Sequence, residues 1–329
     1  MHMTLATHGD ILFTITTSNP PSTIRVSSSH LILASNYYRA MLTGNFPEAH
    51  ELRKNKSLNL TLNEDNADAM LIVMRAVHGQ FREIPSDKLR LELLKDIAVI
   101  VDKYDLLDSV STMAYTWIET VRIGNPRARI GQIASWLMCV MWVFNMHWEF
   151  KQATRDLIVE YAADVDLSGT CVPTGVSDKI TNRRDRLYSS IRSAIRAKQT
   201  AYTQHSPLCD AQCDQIVQKR LKQIMDSLRR GGPSRAKPAT VRTMVGALYD
   251  DRMDDHRVIQ NVAQHANYQQ PGCIDRLAHL DRQVDQLCEA VQGLNLGQLK
   301  GDSDRKIHWS GRTPVLDFAR IWPWAHNDT

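Results

Sequence analysis

Val26–Ala49 reads VSSSHLILASNYYRAMLTGNFPEA. Three serines and a histidine lead into Leu31-Ile32-Leu33, a small-polar pair interrupts, aromatics follow, and Gly44-Asn45-Phe46-Pro47-Glu48 closes the stretch. The spacing predicts a helix over 30–42 with Leu31, Ala34, Tyr38 and Met41 on its buried face, stopped by Gly44 and Pro47. Phe46 is then a large apolar residue in a turn. Two readings are open. Phe46 packs back on the helix it follows, a common contact near helix ends, or Phe46-Pro47-Glu48 is a surface offered to another protein.

On the N-terminal side, Asp10–Thr17 is rich in β-branched and aromatic residues and ends at the turn cluster Ser18-Asn-Pro-Pro-Ser22; Thr23–Val26 then alternates. These predict two strands joined by a loop. On the C-terminal side, Ser57–Leu62 alternates strictly and predicts a third strand with Leu58, Leu60 and Leu62 inward. Asn63-Glu-Asp-Asn opens a helix with capping and dipole chemistry in place. Its stripe is Ala69, Ile72, Val73, Ala76 and Val77, and it ends at His78-Gly79. Further helices are expected from Pro85 (Leu89, Leu93, Leu94, Ile97, Ile100) and from Tyr104 (Leu107, Val110, Ala114, Trp117, Ile118, Val121). Gly124-Asn-Pro126 marks the expected domain boundary. Beyond it the regular segments all read as helical: 130–163, 178–202, 211–230, 240–266 and 274–294. The stretch from 301 reads as a loosely held tail.

The bulk numbers fit two domains: 329 residues, against roughly 100–200 per domain. A net charge of +4 from 40 basic and 36 acidic residues offers no concentrated basic stripe for nucleic acid. MHMTLATHGD lacks the basic and apolar regions of a signal peptide. Ala134–Met146 is the most apolar run but is too short for a membrane span. An intracellular protein of the cytoplasm or nucleus is expected, with its six cysteines as reduced thiols.

The order of these segments resembles a BTB/POZ domain over 9–122. The residues that carry the resemblance are Gly9-Asp10 before an apolar strand, a hairpin, and Ile24-Arg-Val-Ser-Ser-Ser-His30. They continue with Leu33-Ala-Ser35 followed by Tyr38, Met41 and Leu42, then Gly44-Asn-Phe-Pro-Glu48 and Leu58-x-Leu-x-Leu62. Ala69–Gly79 and Asp102-Lys-Tyr-Asp105 complete the series. The variant is similar to BTB proteins of filamentous fungi. Cys209-Asp-Ala-Gln-Cys213-Asp214 and the Cys273 helix ending in Gly293-Leu-Asn-Leu296 resemble elements of their helical C-terminal regions. The resemblance implies an α+β BTB/POZ fold, a small sheet plus a helix cluster, followed by an all-α region over 128–300.

It also implies a non-enzymatic protein–protein interaction protein. Phe46-Pro47-Glu48 matches the apolar-x-acid motif of BTB domains that recruit cullin-type scaffolds, which makes Met41, Phe46, Pro47 and Glu48 the partner-binding candidates. An adaptor linking a client to a ubiquitin ligase is one role the resemblance allows, although the family carries the motif in members without that role too. The alternative is a nuclear BTB protein in a transcription-regulatory complex; the chain has neither C2H2 finger spacing nor a basic helix of its own. Swapped BTB dimers use a helix and strand ahead of the Gly-Asp strand, and Met1–His8 is too short for that helix, so no swapped dimer is expected. His30 is the family's fold-signature histidine, read as a core or capping residue.

Cys209, Cys213, His265 and Cys273 are the residue types of a zinc site. Their spacing is not that of a zinc ribbon, and buried free thiols are the expected reading, with no metal and no cofactor. No glycine-rich phosphate loop, H-E-x-x-H helix or G-x-S-x-G elbow points to catalysis.

Overall fold

Strands β2 (Ile11–Ile15) and β3 (Ser22–Val26) each bury every second residue, as a sheet with one face on a core requires. They pair antiparallel, with Phe13 opposite Ile24, around a loop containing a cis Asn19–Pro20 bond. β4 (Leu58–Leu62) runs parallel to β2, with Leu58 buried and Leu60 and Leu62 half-buried. A strand without a counterpart in the sequence reading, β1 (His2–Thr4), lies parallel to β3 and makes the sheet order β1-β3-β2-β4. The computed structural model describes residues 1–85, 89–120, 130–161, 165–204, 211–229, 238 and 273–301.

The predicted helix over 30–42 is two helices, α1 (Ser28–Ala34) and α2 (Asn36–Thr43). Ser35 is extended between them, and its hydroxyl accepts from the Tyr38 amide, the side-chain cap that serine offers as an alternative to a continuous helix. The break turns the buried face, so Leu42 rather than Met41 goes inward; Met41 and Ala34 are half-buried. Pro47 does not stop a helix but starts one. α3 (Pro47–Asn55) carries it at the first helical position, where its missing N–H costs nothing, and ends at Lys56 with φ 56°.

α4 (Ala67–Val77) is capped by Asn66, which accepts from the Asp68 and Ala69 amides. Its residues 69–74 are all buried, the signature of a helix surrounded by core. α5 (Leu91–Lys103) begins later than Pro85, and α6 (Leu107–Thr120) buries Val110, Ala114, Trp117 and Ile118. The expected helix 130–163 divides into α7 (Ile130–Val143) and α8 (His147–Val159) at Asn145, whose φ of 53° suits asparagine. There follow α9 (Gly175–Gln204), α10 (Ala211–Arg229), α11 (Cys273–Glu289) and the short α12 (Leu296–Lys300). The expected helix 240–266 and the boundary at Gly124–Pro126 lie outside the described residues.

Two compact units result. The first takes in Met1–Glu149, Val165–Pro173 and the segment from Leu296; the second takes in Phe150–Asp164 and Thr174–Asn295. The first therefore reaches past 122, because α7 packs on α5. Within it, Cys139 of α7 and Cys171 form a disulfide with Cα atoms 5.7 Å apart, which corrects the expectation of reduced thiols throughout. In the second unit, α10 and α11 both pack on α9. Buried Arg184 of α9 donates from Nη2 to the Leu157 carbonyl at 2.8 Å. No helix among the described residues is long and apolar enough to cross a membrane.

Candidate partner-binding site

The turn between α2 and α3 is built from backbone contacts. Gly44 caps α2 by donating to the Ala40 carbonyl at 3.0 Å. A side chain at Gly44 would sit 2.5 Å from that carbonyl oxygen and 3.4 Å from the Phe46 ring, so the ring lies directly on the glycine. Phe46 occupies the N-cap position of α3 and makes no side-chain cap bond; its carbonyl accepts from His50 N at 3.2 Å. Arg53 of α3 reaches back to the Thr43 and Gly44 carbonyls at 3.5 and 3.3 Å, binding the end of α2 to α3.

On this frame Phe46 is 52% exposed. Pro47 is exposed, Glu48 and Met41 are half-buried, and Glu48 lies in the first turn of α3, where the helix dipole favours an acid. The four candidates thus divide: Phe46 and Pro47 face solvent, and Met41 and Glu48 do so in part. Leu33 at 80% and Tyr37 at 45% are further large apolar residues exposed on α1 and α2.

What holds α2 in place is the Asp102-Lys-Tyr-Asp105 stretch. The Tyr104 carbonyl accepts from the Ser35 hydroxyl at 2.5 Å, and Asp105 accepts from Asn36 at 2.9 Å. The Tyr104 ring stacks on Tyr38, with centroids 5.2 Å apart. Its hydroxyl donates to buried Asp65 at 2.5 Å, while Lys103 pairs with the other carboxylate oxygen at 3.0 Å. Burial first, and the Asp65 hydrogen bond second, push the Tyr104 hydroxyl far above its usual titration range. Burial does the same to Tyr38. Both stay protonated, and Tyr104 stays a donor.

The start of α1 is fixed by two residues distant in sequence. Asp10 accepts from the Ser28 amide at 2.8 Å and from its hydroxyl at 2.6 Å. His78 Nε2 accepts from the Ser27 amide at 3.0 Å, so the ring is neutral with its proton on Nδ1, which donates to the Met74 carbonyl at 2.8 Å. Burial, and then the neighbouring His30, lower its pKa. His30 itself is exposed and stacks on His78 at 4.7 Å. The capping duty expected of His30 belongs to His78.

A cleft of about 430 Å³ near the start of α4 is lined by Glu64, Asp65, Asp68 and Asp96. Asp65 is held as described, and Asp96 accepts from Asn66 at 3.0 Å and contacts Lys95, so these two acids serve the fold. Among the described residues no group of three histidine, cysteine or acidic side chains is arranged for a metal. Cys209 and His265 lie outside the described residues, as do the side chains of Cys213 and Cys273. Gly293 has a packing reason: a Cβ there would meet the Lys151 carbonyl at 1.7 Å, and Leu294 N donates to the Thr154 hydroxyl at 2.8 Å. The sequence marked Asp10 and His78 as positions but not their capping of α1, and it did not mark Arg53; these roles fall largely on backbone atoms, which no side-chain pattern encodes.

Compared with known proteins, the chain matches no protein-family model, no curated protein and no solved structure at a significant level.

Proposed function

We propose that the chain is a non-enzymatic interaction protein built on a BTB/POZ-like module, and that it acts as an adaptor between a client and a cullin-type ubiquitin-ligase scaffold. The carrying observation is Phe46: a helix N-cap favours serine, threonine, asparagine or aspartate, and an aromatic there forgoes about 1 kcal/mol and leaves half its surface in water. The ring keeps its contact with Gly44, and its exposed half is left for a partner. The order of motifs from Gly9 to Asp105 supports the same reading, as does the small four-stranded sheet with its helices.

Mechanically, the partner closes over a ring already resting on Gly44, so less side-chain entropy is lost on docking. Covering the exposed half of Phe46 gives about 1–1.5 kcal/mol, far short of the roughly 8 kcal/mol of a micromolar complex. The interface therefore extends to other exposed apolar residues, for which Leu33 and Tyr37 on the adjoining helices are the candidates, with Glu48 setting orientation. The intrachain pairing of β1 with β3 supports a chain that does not exchange this strand in a swapped dimer.

The test is capture of a cullin scaffold by wild type and by Phe46→Ala. Recovery by wild type alone supports the adaptor reading; equal recovery by both, or none by either, sinks it. Sedimentation showing a tight, concentration-independent dimer would argue against the absence of swapping.

A further inference from the structure

The Cys139–Cys171 pair links two stretches that bracket an excursion of the chain. α7 and Val165–Pro173 both belong to the first unit, while Phe150–Asp164 between them belongs to the second. The bond spans a separation of 32 residues and so ties the outgoing and returning chain together at the root of that excursion. The two sulfurs have different access. Cys139 is fully buried, whereas Cys171 is half-exposed. Buried Val165, Leu167 and Val172 hold the returning segment beside it.

We propose that Cys139 and Cys171 form a thiol–disulfide exchange site, with Cys171 the residue that meets low-molecular-weight disulfides and thiols such as glutathione, and Cys139 the buried resolving residue. In oxidation, the Cys171 thiolate attacks one sulfur of oxidised glutathione and expels a glutathione thiolate, leaving a mixed disulfide on Cys171. The Cys139 sulfur attacks the Cys171 sulfur and expels the second glutathione as its thiolate, which takes up the Cys139 proton to leave as the thiol. Two protein thiols are oxidised and one glutathione disulfide is reduced to two thiols. Reduction is the reverse, with entry again at Cys171. Burial disfavours a thiolate at Cys139. The resolving step is therefore the slow one in both directions, and the cross-link persists once formed.

The full-length chain, reduced and then equilibrated with oxidised glutathione, is digested without reductant and mapped by mass. Wild type is expected to give one linked peptide pair containing Cys139 and Cys171. Cys139→Ser is expected to carry a glutathionyl group on Cys171, at a rate at least about tenfold above that of Cys139 in Cys171→Ser. Buried Cys288, whose thiol burial pushes up to about 11, is the internal control that stays unmodified. Free thiols at both positions of wild type at equilibrium would overturn the site. Equal modification of the two single variants would overturn the assignment of Cys171 as the entry residue. The wild-type peptide map stands even if a variant fails to fold.

Discussion

Gly293 and Tyr104 show how single residues settle local packing. Gly293 has the Lys151 carbonyl where its Cβ would go. Gly293→Ala should therefore destabilise the second unit by about 1–3 kcal/mol, the usual cost of overpacking, read as a lower denaturation midpoint. An unchanged midpoint would mean that α8 shifts freely. Tyr104→Phe removes one of the two hydrogen-bonded partners given above for the Asp65 carboxylate. A bond to a charged group is worth about 1.5–3 kcal/mol, and the loss should appear in the melting of the first unit. The resemblance flagged Asp102–Asp105 and Gly293 as positions. Their reasons, a buried carboxylate and a carbonyl in contact, depend on residues far along the chain, so no local pattern displays them.

At the scale of elements, the alternation of β2, β3 and β4 and the apolar stripe of α6 were legible, because burial on one face imposes a period, whereas α4 is buried well beyond its predicted stripe. The breaks were not. Ser35, Asn145 and the N1 proline of α3 interrupt or start helices through backbone conformation, which an apolar stripe running across them conceals. β1 was missed because three residues are too few to show a period. The start of α1 makes a pH prediction. His78 is held neutral, so its folded pKa lies below its unfolded value near 6.5. The contribution is complete above that value and is lost as pH falls through it toward the folded pKa. Amide exchange at Ser27, corrected for its intrinsic rate, should rise as pH is lowered from 7 to 5. Constant protection would show that the His78 bond contributes nothing to α1.

For the whole molecule, Asp156 of the second unit responds to pH in the opposite sense to His78 of the first. Burial raises Asp156, in the second unit, to about 6, although Arg155 opposes the shift. Its folded state binds the proton more tightly, so this residue costs stability above pH 6 and that cost fades as pH falls toward 4. Asp156→Asn should raise the stability of the second unit at pH 7 and flatten its pH dependence, measured by denaturant titration at several pH values. The first unit depends instead on its cross-link, and closing a loop of 32 residues contributes about 3–4 kcal/mol. Cys171→Ser should lower its melting temperature, with reductant doing the same to wild type and nothing further to the variant. The pairing was invisible in the sequence because six cysteines allow many pairings and nothing in the spacing selects 139 with 171.

The turn at Phe46 joins these scales, since its exposure rests on Gly44, on the Arg53 clamp and on the staple through Tyr104. The most direct test compares wild type with Phe46→Ser for both stability and capture of a cullin scaffold. The account predicts a variant at least as stable as wild type, by up to about 1 kcal/mol through the restored N-cap, and unable to capture the scaffold. A variant that is markedly less stable, or that captures the scaffold as well as wild type, would show that Phe46 serves the fold and not a partner.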